Sequence, residues 1–152
     1  MLYGTRSTIF CYTIPMPKLL TLFPDLLTYS LIAPFILRVS LGLVLVYFSY
    51  LKFGKERMEK IAFFDSLGMK PGSFYVNMVG SIEFVGGILL VVGAYTQAAA
   101  LVGALVMLAA TYIKWRHPQS LRNDIEFYIL LFVVALSLVF LGAGFFAIDL
   151  PL

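Results

Sequence analysis

The chain has 152 residues, 61% of them hydrophobic and 12% charged, with a formal net charge of +3 and a mean hydropathy of +0.96. A soluble domain is about half apolar and about a quarter charged, so this chain has too few charges to cover a surface in water. An integral membrane protein of one domain is expected, and the single cysteine excludes an internal disulfide or a Cys-x-x-Cys redox pair.

Residues 1–30 read as an N-terminal extension, partly flexible and interfacial. Its first 15 residues contain no long apolar stretch and no small-residue cleavage site, so no secretory signal is expected. Met16, followed by "PKLL", offers a second translation start beside Met1, and both stay open. A bilayer core of about 30 Å needs roughly 20 apolar residues per helix. The first such window runs from about Leu31 to Leu51, with Pro34 opening or kinking it. The link "KFGKERMEKIAFFDSLGMKPGS", Lys52 to Ser73, is charged and helix-prone in its first half and reads as a short helix lying on the membrane surface. The second window runs from about Phe74 to Ala94. "GAYTQ" is a tight turn that makes an antiparallel hairpin with the third window, Gln97 to Trp115. "RHPQSLRND" follows, with Pro118 stopping the helix, and the fourth window runs from about Ile125 to Phe146. These windows are too long and unbroken for barrel strands. The expected fold is all-α: a four-helix transmembrane bundle over residues 31–152, with a short interfacial helix between its first and second spans.

Four crossings put both termini on one face. The opposite face carries Lys52, Lys55, Arg57, Lys60, Lys70, Lys114, Arg116 and Arg122, against Arg6 and Lys18 on the terminal face. The basic face is therefore expected in the cytoplasm and both termini outside. The positive charge is an orientation signal, not a footprint for nucleic acid. The partner it implies is the lipid bilayer.

Soluble-enzyme chemistry is scarce. His117 is the only histidine, beside Pro118 in a loop, and reads as solvated. No metal-ligand spacing, P-loop or dinucleotide fingerprint is present, and no cofactor held covalently or by a metal is expected. What remains is charge at membrane depth, which is costly and is normally paired inside the bundle. Arg38, Gly42, Leu45, Ser49 and Lys52 share one face of the first span, and Gly80, Glu83, Gly87 and Ala94 one face of the second. Glu126, Leu130, Val133, Ser137, Phe140 and Gly144 share a face of the fourth. By residue count, Arg38 lies roughly 21 Å below Lys52 and Glu83 roughly 14 Å below Phe74, a gap an extended arginine can bridge. Two pairs are expected: Arg38 with Glu83 in the core, and Lys52 with Glu126 at the cytoplasmic mouth. The first is either a structural pair that fixes helix register or a protonatable site for a quinone, a proton or a small solute.

Five stretches carry a family resemblance. "LRVSLGLVLVYFSYLKF", "FFDSLGMKPG", "IEFVGGILLVVGAYTQAAAL", "NDIEFYILLFVVAL" and "GAGFFAIDL" resemble, in order, the helix and loop patterns of the DoxX family. The likeness covers about residues 35 to 149, and Arg38, Lys52, Glu83, Asn123, Glu126 and Asp149 match the family's polar positions. Ser49 departs from it, since many relatives have Gly there. The resemblance implies a four-helix protein of a prokaryotic inner membrane, linked to membrane redox work such as thiosulfate:quinone oxidoreductase subunits or oxidative-stress complexes. Any electron path would then need a bound quinone or a redox protein partner. Three roles stay open: an accessory redox subunit, a small proton-coupled carrier using Glu83, and a structural adaptor without catalysis.

Overall fold

The computed structural model describes residues 31–144 and 146–148. The N-terminal extension with its two candidate starts, and Asp149, lie outside the described residues. Five helices follow in order: α1 Ile32–Phe53, α2 Arg57–Ser66, α3 Gly72–Val92, α4 Thr96–Arg116 and α5 Ile125–Leu141. No strand occurs among the described residues. Three helices, α1, α3 and α4, are long and apolar enough to cross a membrane, and α5 is apolar but only 17 residues long.

Local chemistry sets the boundaries. Gly93 ends α3 in the left-handed region, φ 79°, where only glycine is at ease, and its N–H caps the Leu89 carbonyl at 2.8 Å. Three residues later α4 begins, which makes α3 and α4 the tight hairpin that "GAYTQ" predicts. Pro71 caps the start of α3 in an extended conformation, φ −81° and ψ 130°, that its ring permits. Pro118 follows the end of α4 by two residues.

The helices pack as α1 along α3 and α4 along α5, with smaller contacts joining α3 to α4 and α1 to α5. Leu41, Leu45, Leu90, Met107, Leu131 and Leu138 form the core between them. Ala99, Ala100, Gly103 and Ala104 present a small-residue face on α4, which lets neighbouring backbones come close without a hydrophobic drive from water. The outside is apolar as well. Leu43, Leu105, Leu130 and Phe140 are 57%, 59%, 59% and 82% exposed. A soluble monomer tolerates an apolar patch of only a few hundred Å², so a sheath of this kind belongs in lipid.

The short α2 packs mainly on α3, where Asp65 Oδ1 accepts the Gly72 N–H at 2.8 Å. Lys60 donates to the Ser120 carbonyl at 3.0 Å, and Glu56 lies 3.9 Å from Arg122. These contacts tie α2 to the α4–α5 loop, so the basic loops cluster at one end of the molecule.

Candidate functional site

The site grows from the α1–α3 crossing. A Cβ built on Gly42 would lie 2.7 Å from the Gly87 carbonyl, and one on Gly87 would lie 2.8 Å from the Gly42 carbonyl. About two turns nearer the basic end, Ser49 Oγ donates to the Gly80 carbonyl at 2.8 Å. These two contacts fix the antiparallel register. Residue 52 is level with 77, and 38 is level with 91. Lys52 therefore sits about six residues, roughly 9 Å, nearer the basic end than Glu83.

Side-chain direction closes that gap. Helical side chains lean toward the N-terminus of their own helix. Lys52 on α1 leans inward, and Glu83 on the antiparallel α3 leans outward to meet it. The Lys52 ammonium and Glu83 Oε1 form an ion pair, with the glutamate side chain 2% exposed and the lysine 19%. Glu83 Oε2 is buried and accepts no hydrogen bond.

Neither expected pair forms. Arg38 lies level with residue 91 and, like Lys52, leans toward the N-terminal end of α1, which carries it away from Glu83 to the far end of the molecule. There its Nη1 donates to the Ala143 carbonyl at 2.7 Å and its Nη2 to the Phe146 carbonyl at 3.2 Å. Its guanidinium also lies against Gly93 and 5.5 Å from the Phe35 ring centroid. Glu126 is exposed, because α5 buries the opposite face through Tyr128, Leu131, Ala135 and Leu138. The face of Leu130, Val133 and Phe140 points outward instead. Ser137 lies on that same outward face, and its hydroxyl donates back to the Val133 carbonyl at 2.8 Å, so it needs no partner on another helix.

A cavity of about 240 Å³ lies beside the Lys52–Glu83 pair, on the basic side. Tyr47, Phe48, Met107 and Tyr128 wall it, and the Phe48 and Tyr128 rings stand 6.2 Å apart. Asn123, one of the family-matched positions, lines it too, and so do Glu56, Lys60 and Arg122. Sequence reasoning missed the aromatic and methionine walls, since such residues on an apolar helix look like any core. Glu56 and Lys60 had a signal: they stand four apart on a charged segment, and their side chains are 3.5 Å apart. His117 is exposed and packs edge-on against Phe63.

Chemically, the pair offers an ammonium donor and a carboxylate acceptor to one small head group held against aromatic walls. Drug-sized ligands occupy about 300–1,000 Å³, so this cavity suits a single ring and not a dinucleotide. Among the described residues, no group of three His, Cys, Asp or Glu could hold a metal ion.

Apolar helices sheathed for lipid around a buried ion pair define a multi-pass helical membrane protein. The chain belongs to the DoxX family, whose model matches residues 33–115. A Bacillus subtilis protein named "Putative oxidoreductase CatD" is 31% identical over 120 residues, 78% of this chain and 85% of that protein. No solved structure matches.

Proposed function

We propose that this protein is an accessory membrane subunit of a redox system, quinone-linked or serving the oxidative-stress response, and that the cavity beside Lys52 and Glu83 receives a quinone head group. The carrying observation is a buried carboxylate, paired with one ammonium, in an aromatic-walled cavity of single-ring size. The oxidoreductase name of the Bacillus subtilis relative supports the redox class. Electrons pass to or from the quinone through a membrane or peripheral partner protein.

In this reading, α1, α3, α4 and α5 cross the inner membrane of a prokaryote as a four-helix bundle over residues 31–152. The short α2 lies on the cytoplasmic surface and both termini face outside. The gathering of basic loops at one end supports that orientation.

The test is extraction. The protein is purified from its native membrane in mild detergent, and bound lipid-quinone is measured by mass spectrometry. A quinone that co-purifies with the parent and is depleted in a folded Glu83→Gln variant is the expected result. A parent that retains only phospholipid removes the quinone reading.

A second reading, a small proton-coupled carrier, is favoured by the uncommitted Oε2 of Glu83. It predicts that the protein alone in liposomes dissipates a pH gradient when substrate is added, and that Glu83→Gln abolishes this. Silence in both assays leaves a structural adaptor, in which the pair sets helix register.

A further inference from the structure

Resting on the quinone-head-group reading, we infer that the cavity selects the reduced, hydroxyl-bearing form of its ring ligand: a quinol, or a phenol of like size, in preference to the quinone.

The argument begins with what the ion pair leaves open. Glu83 Oε1 is taken by Lys52, while Oε2 is buried and accepts no hydrogen bond. The Lys52 ammonium has three N–H groups and makes one hydrogen bond, to Glu83. The two members differ in access to water. The lysine side chain is 19% exposed and can be solvated, whereas the glutamate side chain is 2% exposed and cannot. The group that most needs a partner is therefore an acceptor.

A quinone carries two carbonyl acceptors and no donor. Its carbonyl can accept from Lys52 but leaves Oε2 unpaired, and would bring a second acceptor close to it. A quinol hydroxyl donates its O–H to Oε2 and accepts from Lys52 through its lone pairs. One hydroxyl thus serves both members of the pair. The ring then lies among Phe48, Met107 and Tyr128, with faces and edges suited to aromatic contact. A buried, charged acceptor left unsatisfied is costly. Sites built around a ligand hydroxyl discriminate strongly against analogues that lack it. A preference of about tenfold or more for the quinol is the modest end of that behaviour.

The experiment uses the full chain in nanodiscs under anaerobic conditions. Binding of decyl-benzohydroquinone and of the matching decyl-benzoquinone is measured by calorimetry, with tail-free hydroquinone as a third probe. The parent should bind the tailed hydroquinone about tenfold or more tightly than the tailed quinone. Glu83→Gln, which removes the acceptor carboxylate, should lose that ratio through weaker hydroquinone binding. Tail-free hydroquinone binding as tightly as the tailed form marks a water-borne phenol as the source. Weaker binding marks a membrane quinol.

Equal affinity of the two redox forms, or tighter binding of the quinone, overturns the inference and leaves the quinone site standing. No binding of any probe overturns both. If Glu83→Gln does not fold, infrared difference spectra of the parent decide. Quinol addition should shift a carboxylate band that quinone addition leaves in place, and an unmoved band overturns the inference.

Discussion

Gly42 and Gly87 meet backbone to backbone, each in the place where the other's Cβ would have to go, with 2.7–2.8 Å between a built Cβ and the opposing carbonyl oxygen. That contact sets how near α1 and α3 lie, and so whether Lys52 can reach Glu83. Since backbone cannot step aside as a side chain can, Gly42→Ala and Gly87→Ala should each destabilise by about 1–3 kcal/mol. Thermal unfolding in detergent would register this. Loss of any ligand held beside the ion pair should accompany it, because the same shift widens the crossing.

The Lys52–Glu83 pair should respond asymmetrically. Lys52→Met strands a buried carboxylate, the case in which breaking a pair costs about 3–5 kcal/mol. Glu83→Gln strands a lysine that is already partly exposed and can swing its head to water. Melting temperatures should therefore fall further for Lys52→Met than for Glu83→Gln, and the double variant should recover part of the lysine loss. Equal losses would mean that Glu83 is better solvated than its burial indicates.

Arg38 holds the chain beyond α5 by donating to two of its carbonyls. Hydrogen bonds from a charged donor contribute about 1.5–3 kcal/mol each. Arg38→Lys keeps the charge but loses the two-pronged guanidinium geometry. It should lower the melting temperature and make residues 142–148 more sensitive to protease in detergent. Gly93→Ala should do the same by another route, combining an unfavourable φ of 79° with a Cβ pressed into the guanidinium.

Two serines separate structural from incidental polarity. Ser49→Ala removes a buried bond to the Gly80 carbonyl and should cost about 1 kcal/mol. Ser137 bonds only within its own helix, so Ser137→Ala should stay within about 0.5 kcal/mol. Chemical or thermal unfolding of the two side by side makes the comparison direct.

Orientation can be checked with fusions. A reporter active only outside the cytoplasm should work after Leu152 and fail after Lys60. The reverse pattern would place the basic loops outside.

Much of this was legible in the sequence, and the failures have definite causes. The Arg38-to-Lys52 and Gly80-to-Gly87 spacings identified the inner faces of α1 and α3, because small and polar residues stand out on apolar helices. The partner of Glu83 was misread because depth was counted between Cα levels, ignoring that side chains lean along their helices. On antiparallel helices that lean brings Lys52 to Glu83 and carries Arg38 away. The inner face of α5 was misread because the helix is apolar all round and Glu126 was the charge expected to face inward, whereas it is exposed.

In the proposed four-span arrangement, α5 is the short crossing. Seventeen residues span about 25 Å, roughly 7 Å less than the 22 of α1. Such hydrophobic mismatch is commonly relieved by thinning the lipid or tilting the helix. Here the deficit falls at Gly142, Ala143, Gly144 and Phe146, whose carbonyls would otherwise stand bare toward hydrocarbon. Arg38 reaches them from inside and supplies the N–H groups that lipid lacks. Arg38, expected opposite Glu83, thus covers for the missing turns of a short helix, and in this arrangement the protein has one low corner in its membrane footprint.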